Sequence, residues 1–151
     1  MALEYDLHLT TSMKPRQALE LLAGQIAGLD WGDDHSFLFD PTVTMTATTS
    51  RTYTQSLFAD TFRFAPTLGI GFRYVWESDY DRFRQLMLQA TMLLLEHARD
   101  AVLLFNGEII VLQRLGGQLA FNSDYHMWDD EWLKSRLILP YERRPLPSPL
   151  L

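Results

Sequence analysis

The chain has 151 residues, no cysteine and a formal net charge of −6, from 13 basic and 19 acidic side chains. The length suits one domain, and 47% hydrophobic with 21% charged residues is typical of a globular protein. The missing cysteines exclude disulfides, a cysteine nucleophile and thiolate-bound metal sites. The acidic balance argues against direct binding of nucleic acid, which requires Lys and Arg to neutralise phosphates.

The acidic charge is concentrated in the N-terminal part of the chain. Residues 1–40 hold seven acids and two bases, whereas the other 111 residues hold twelve acids and eleven bases. Such a surface attracts a basic partner by long-range steering, and a solvated face needed only for solubility is the alternative. No segment has the pattern of a signal peptide or a membrane span, so we expect a cytoplasmic protein without membrane contact.

The pattern begins with a strand, a helix and two further strands. Residues 3–10 alternate between apolar and polar side chains, which predicts a strand with one exposed face. Helical spacing of apolar residues predicts a first helix over 14–26. The turn-rich stretch that follows contains a candidate short strand at 37–39, and the threonine-rich alternation over 42–49 predicts another strand.

The middle of the chain is predicted to contain a loop and a long strand. Residues 50–61 show no clear periodicity and are expected to form the loop. The strand is predicted within 62–75, where Gly69 and Gly71 share one face. This bare face predicts that a backbone or a helix approaches closely there.

The last third is predicted to contain two helices separated by a three-stranded meander. Apolar spacing predicts a helix over 79–98. Asn106-Gly107 and Gly116-Gly117 supply the turns of the meander, because both pairs tolerate positive φ. A short helix is predicted over 127–135, before a proline-rich extended tail from about 140 to 151.

These elements predict a single α+β domain over residues 1–151. The expected order is β-α-β-β-α-β-β-β, with an antiparallel sheet of five to six strands, two main helices on one face and a short C-terminal helix. A ferredoxin-like arrangement of the first six elements and a single wide sheet both remain open.

No catalytic signature is present in the sequence. Walker A, dinucleotide-binding, His-Glu-x-x-His and Gly-x-Ser-x-Gly patterns are all missing. Asp33-Asp34-His35, and His126 with Asp129 and Asp130, are candidate metal or acid–base groups, but solvated surface clusters are the commoner interpretation. We therefore predict no catalytic residue, no metal and no cofactor.

Two acidic segments that contain tryptophan are candidate partner-binding sites. Aromatic side chains beside acids are typical of protein interfaces, and core packing of Trp128 and Trp132 is an equal alternative. The candidate residues are Asp30, Asp33 and Asp34 in the first segment, and Trp128, Asp129, Asp130 and Glu131 in the second.

Several runs resemble a known protein family. Ala2–Leu9, Phe64–Arg73 and Asp100–Glu108 are similar to the bacterial immunity proteins paired with swarming-inhibition (Sit) toxins of polymorphic toxin systems, and the likeness continues through Leu119–Asn122 to Pro140-Tyr141. The resemblance implies a cytoplasmic antitoxin that binds one cognate toxin, for example a nuclease, and occludes its active or nucleic-acid-binding surface. It implies no catalytic residue and transfers no contact residue.

Two other functions remain open from the sequence. A small hydrolase that uses scattered carboxylates and His126 requires a concave pocket with a perturbed carboxyl or histidine. A scaffold module would use the tail over Pro140–Pro149 as a ligand for another domain. The preferred interpretation of that tail is that it wraps its own domain.

Overall fold

A computed structural model describes residues 3–150 of the chain. The strands are β1 (Glu4–Leu9), β2 (Asp30–Trp31), β3 (Phe37–Phe39), β4 (Val43–Thr49), β5 (Leu68–Tyr74), β6 (Ala101–Phe105), β7 (Ile109–Leu115), β8 (Gln118–Asn122) and β9 (Tyr141–Arg144). The helices are α1 (Pro15–Gln25), α2 (Thr52–Phe62), α3 (Tyr80–Leu95) and α4 (Asp130–Arg136), and a 3₁₀ turn (Asp33–His35) joins β2 to β3. None of the helices within these residues is long and apolar enough to cross a membrane.

All nine strands belong to one sheet, in the order β2-β3-β4-β5-β1-β6-β7-β8-β9. Every neighbouring pair is antiparallel except β8 and β9, which are parallel. The α+β class is therefore confirmed, but the predicted five to six antiparallel strands are too few and miss the parallel pair. Of the two arrangements left open by the sequence, the structure has the single wide sheet and not the ferredoxin-like one.

The first strand of the chain lies at the centre of this sheet. β1 is hydrogen-bonded to β5 on one side and to β6 on the other, so both of its edges are occupied. Its alternation is the one expected, with Tyr5, Leu7 and Leu9 at most 1% exposed. Glu4, Asp6 and His8 therefore lie on the opposite face, in the middle of the sheet.

Three helices belong to the layer against the first face of the sheet. α1 and α3 run close to the predicted bounds and contribute side chains such as Leu22, Phe83 and Met87 to the main core. Leu133 of α4 is also fully buried in this core. Asp79 caps α3, because its carboxylate accepts from the backbone N–H of Arg82 at 3.2 Å.

The predicted loop over residues 50–61 is wrong, because residues 52–62 form α2. This helix lies on the second face of the sheet, where Phe58 and Phe62 form a smaller apolar cluster with Val102 and Leu104. Only two of its eleven residues are buried. So short an apolar stripe explains why the periodicity did not reveal the helix.

The glycine face of β5 is approached by side chains and not by a helix. A Cβ atom added at Gly71 would lie 2.9 Å from Thr46 Oγ1 and 3.5 Å from an Asp6 carboxylate oxygen. At Gly69 the nearest atoms belong to Thr48 and His8. The predicted close approach exists, but it comes from side chains of the neighbouring strands rather than from a backbone or a helix.

The proline-rich tail packs onto its own sheet. Residues 141–144 pair with β8, and Leu146 is 5% exposed in the smaller cluster. Asn122 holds this return: its side-chain amide donates to the carbonyl oxygens of Ile110 at 2.6 Å and Leu146 at 3.3 Å. Its side-chain oxygen accepts from the backbone N–H of Leu146 at 3.2 Å and of Asp124 at 2.9 Å.

Replacing this amide should release the tail. Asn122→Ala leaves several buried backbone groups without partners, and we expect a loss of at least about 2 kcal/mol in the free energy of unfolding. Urea unfolding measures the loss, and faster tryptic cleavage after Arg143 reports the freed strand. Ser123→Ala is the neighbouring control. Equal stability and equal cleavage in both variants would contradict this role.

Candidate partner-binding surface

The first acidic segment forms an exposed hairpin at one edge of the sheet. We call residues 30–39 the acidic hairpin; it consists of β2, the 3₁₀ turn and β3, and the backbone N–H of Gly32 donates to the Phe37 carbonyl at 2.8 Å. Asp30, Asp33 and Asp34 are all exposed. Within residues 3–150 none of these three carboxylates forms an ion pair.

The tip of the acidic hairpin has an unusual backbone. Asp34 and His35 are consecutive non-glycine residues with φ of 57° and 52°. The left-handed region costs roughly 1–2 kcal/mol for such residues, and aspartate tolerates it better than most. At the base of the hairpin, the Arg16 guanidinium lies 5.8 Å from the centroid of the Trp31 ring. The turn therefore presents the carboxylates of Asp33 and Asp34 in a fixed, protruding arrangement.

The second acidic segment is largely used by the fold. Trp128 is 4% exposed, and its indole N–H donates to the Arg84 carbonyl at 3.2 Å, so the core-packing interpretation holds for this residue. The Asp129 carboxylate caps α4 by accepting from the backbone N–H of Trp132 at 2.7 Å. Asp130 accepts from Arg143 Nε at 2.8 Å, and this hydrogen bond lowers the pKa of Asp130.

Only part of the second segment remains available to a partner. Glu131 is exposed and has no ion pair within residues 3–150, and Trp132 is partly exposed. Arg136 lies over the Trp132 ring at 4.9 Å and adds positive charge beside these acids.

The structure does not bring the two acidic segments together. β2 is one edge strand of the sheet and β9, which pairs Arg143 with Asp130, is the other. Eight strand spacings separate the edges, which is about 38 Å in a flat sheet. A partner surface of ordinary size would contact one segment rather than both.

Cross-strand pairing places a third acidic group between these edges, and the sequence analysis did not single it out. Paired residues lie on the same face, so one row runs through Asp30, Phe39, Thr44, Arg73 and Glu4. The adjacent row runs through Phe37, Thr46, Gly71 and Asp6. Asp30 of the acidic hairpin thus shares an open face with the two acids of β1. We call residues 4, 6, 30, 37, 39, 44, 46, 71 and 73 the open face.

Two titratable groups of β1 lie on this second side of the sheet in contrasting settings. Partial burial, and then the nearby charge of Glu4, raise the pKa of the Asp6 carboxyl. His8 lies under α2, with its ring 4.6 Å from that of Phe58, and burial lowers the pKa of His8 to about 4. The Nδ1 atom of His8 is buried without a hydrogen-bond partner within residues 3–150.

The remaining histidines lie at the surface. His35, His97 and His126 are exposed. Within the described residues no three His, Asp or Glu side chains converge in a group that could hold a metal ion.

Comparison with known proteins identifies the family. The family model described as SitI3-like matches residues 3–132. The chain belongs to the SitI3-like family. No curated protein and no solved structure matches the chain at the threshold applied.

Membership of the SitI3-like family confirms the resemblance to the immunity proteins associated with Sit toxins. The matched residues run from the start of β1 into α4, so they include both acidic segments and the whole open face. β9 and the tail after it lie beyond the match. An immunity-protein family implies a binding role rather than a catalytic one.

The buried imidazole of His8 should make stability depend on pH. Its folded pKa of about 4 lies below the usual 6.5, so the unfolded chain takes up a proton first as the pH falls. The contribution of His8 is present above pH 6.5 and declines toward pH 4, by up to about 3 kcal/mol. The contribution of Asp6 to stability changes in the opposite direction. Because its pKa is raised in the folded state, protonation at low pH favours the native state over the unfolded chain.

Comparing variants separates these effects. His8→Leu should lose less stability than wild type between pH 6.5 and pH 4, measured by urea unfolding. His97→Leu removes an exposed ring as the control and should follow wild type. If His8→Leu also follows wild type, the buried ring does not titrate as described.

Proposed function

We propose that this protein is an antitoxin that binds one cognate Sit-type toxin and neutralises it by stoichiometric occlusion. The observation that carries the proposal is the SitI3-like match over residues 3–132. Neutralisation by binding requires a complementary surface and no reacting group on the antitoxin. The concentration of unpaired carboxylates at one side of the sheet supports such a surface.

The acidic hairpin and the open face are the best-supported contact region. The carboxylates of Asp33 and Asp34 are exposed, and Asp30 faces the same side of the sheet as Glu4 and Asp6. The second segment supports the proposal less, because Trp128 is buried and Asp130 is paired with Arg143. Of the residues in that segment, Glu131 keeps a free exposed carboxylate.

Charge gives this binding a physical mechanism. A toxin that acts on nucleic acid, as a nuclease would, carries a basic surface that faces phosphates. Carboxylates presented on a fixed scaffold compete for that surface, steer the encounter and keep the substrate out. The protein would act in the cytoplasm of the cell that receives the toxin.

The sequence alternatives receive less support from the structure. The tail forms β9 and buries Leu146 against its own sheet, so it is not presented as a free ligand. A hydrolase would need a histidine beside its perturbed carboxyl. Asp6, whose pKa is raised, does line a groove on the open face, but none of the histidines within residues 3–150 lines it, since His8 packs under Phe58 and His126 is exposed.

Co-expression tests the proposed function directly. The probe is the toxin encoded by the reading frame next to this gene, expressed with and without this protein. We expect survival only when both are expressed, and a one-to-one complex between this protein and a catalytically inactive toxin variant by size-exclusion chromatography with light scattering. Equal killing with and without this protein would refute the proposal.

The acidic hairpin should accelerate association. Asp33→Asn with Asp34→Asn removes two charges while keeping the side-chain shapes, and asparagine tolerates the left-handed backbone at position 34. We expect the association rate constant to fall by about 3- to 10-fold at low salt, with a smaller difference at high salt because ions screen the field.

Stopped-flow binding to the inactive toxin measures this rate. Glu131→Gln removes one exposed charge from the other edge and serves as the control. A larger effect for Glu131→Gln than for the hairpin variant would move the contact region to α4.

A further inference from the structure

The second face of the sheet is covered over only part of its width. α2 and the tail shield β6, β7, β8 and the His8 end of β1 through Phe58, Phe62 and Leu146. Among residues 3–150, no helix covers this side of the other strands, from the Asp6 end of β1 outward to β3. The uncovered part is the open face defined above.

A groove crosses the centre of the open face. It has a volume of about 250 Å³ and is lined by residues that include Asp6, Thr44, Thr46, Gly71 and Arg73. Gly71 lies in its lining, where the side chains of Thr46 and Asp6 converge: a Cβ atom at this position would lie only 2.9 Å from Thr46 Oγ1, so any larger residue would narrow the groove. The opening is suited to a single extended side chain rather than to a folded element.

The acid beside this groove has no cation of its own. The carboxylate of Asp6 is partly buried, and within residues 3–150 it has neither an ion pair nor a side-chain hydrogen bond. The neighbouring Arg73 is directed to Glu4, with Nε 3.6 Å from the Glu4 carboxylate. The raised pKa of Asp6 reflects the same unbalanced setting. A positive charge brought into the groove would offset the unfavourable, partly buried negative charge of Asp6.

Apolar side chains of β3, and one just after β5, lie outside the groove lining on the neighbouring surface. Phe39 is 38% exposed, and its ring lies 6.0 Å from that of Phe37. Val75, just after β5, is 39% exposed. Exposed aromatic and apolar side chains are enriched at the centre of protein interfaces, so this part of the surface suits a partner.

We propose that the open face is the docking surface for the basic face of the cognate toxin, and that one arginine or lysine side chain of the toxin enters the groove over Gly71 and pairs with Asp6. This inference rests on the proposed function and specifies its contact. Asp30, Asp33 and Asp34 would steer the toxin toward the groove, whereas Asp6 would hold it after docking. The two roles predict different kinetic effects, on association and on dissociation.

The first variant removes the charge of the groove. Asp6→Asn should weaken binding of the inactive neighbouring toxin by about tenfold or more, mainly through faster dissociation, because a desolvated charge pair is lost. The same variant should not lower the melting temperature at pH 7, since the native carboxylate is unfavourably placed. If Asp6 had only a structural role, Asp6→Asn would lower both the toxin affinity and the melting temperature.

The second variant fills the groove from within. Thr46 is exposed on the groove wall, so Thr46→Lys can place its own ammonium beside Asp6. We expect a raised melting temperature and a loss of toxin binding of about tenfold or more, because the internal cation replaces the external one. Gln89→Lys, which adds the same charge on the exposed side of α3, is the matched control and should bind like wild type.

Biolayer interferometry with the inactive toxin, together with light scattering of the free protein, gives clear outcomes. Wild-type binding that is lost in Asp6→Asn and Thr46→Lys but kept in Gln89→Lys supports the inference. Wild-type binding that both groove variants retain overturns the inference alone. A wild-type dimer that becomes monomeric in Thr46→Lys also overturns it, by assigning the face to a second copy. Absence of wild-type binding refutes the proposed function and, with it, this inference.

Discussion

The position of β1 at the centre of the sheet constrains the rest of the molecule. Both edges of this strand are hydrogen-bonded, so its two faces can differ only through the alternation of its side chains. One face supplies Tyr5, Leu7 and Leu9 to the main core, and the other carries three titratable residues. A full helical layer on the second side would have to desolvate all three. The fold covers only the imidazole of His8 and leaves the carboxylates of Glu4 and Asp6 accessible.

This partial cover links architecture to recognition. Desolvating a neutral imidazole under Phe58 costs much less than burying a carboxylate without a partner. The chain therefore places its aromatic helix over His8 and its small residues, Gly71 and Thr46, beside Asp6. The uncovered acids then join the acidic hairpin on one continuous side. Asp129 and Asp130 near α4 differ, because capping of α4 and the pairing with Arg143 already satisfy their carboxylates.

Much of the fold could be predicted from local patterns in the sequence. β1, α1, α3 and the Asn106-Gly107 hairpin follow from alternation, helical spacing and turn chemistry, and all are present. α2 was missed because it buries only Phe58 and Phe62, and β9 because its parallel pairing with β8 leaves no local signal. The acidic hairpin was predicted as a candidate segment. Asp6 was not, since its surroundings come from β4 and β5, whose order beside β1 no local pattern encodes.

The two ends of the sheet leave little backbone for another strand to join. On one side the last strand, β2, has only two residues. On the other, β9 has four residues and is followed at once by Pro145, which lacks an N–H group. Short edges and proline are the usual protection against uncontrolled strand addition, which leads to aggregation. A partner that binds by extending the sheet would therefore find little template here, which favours contact through side chains on a face.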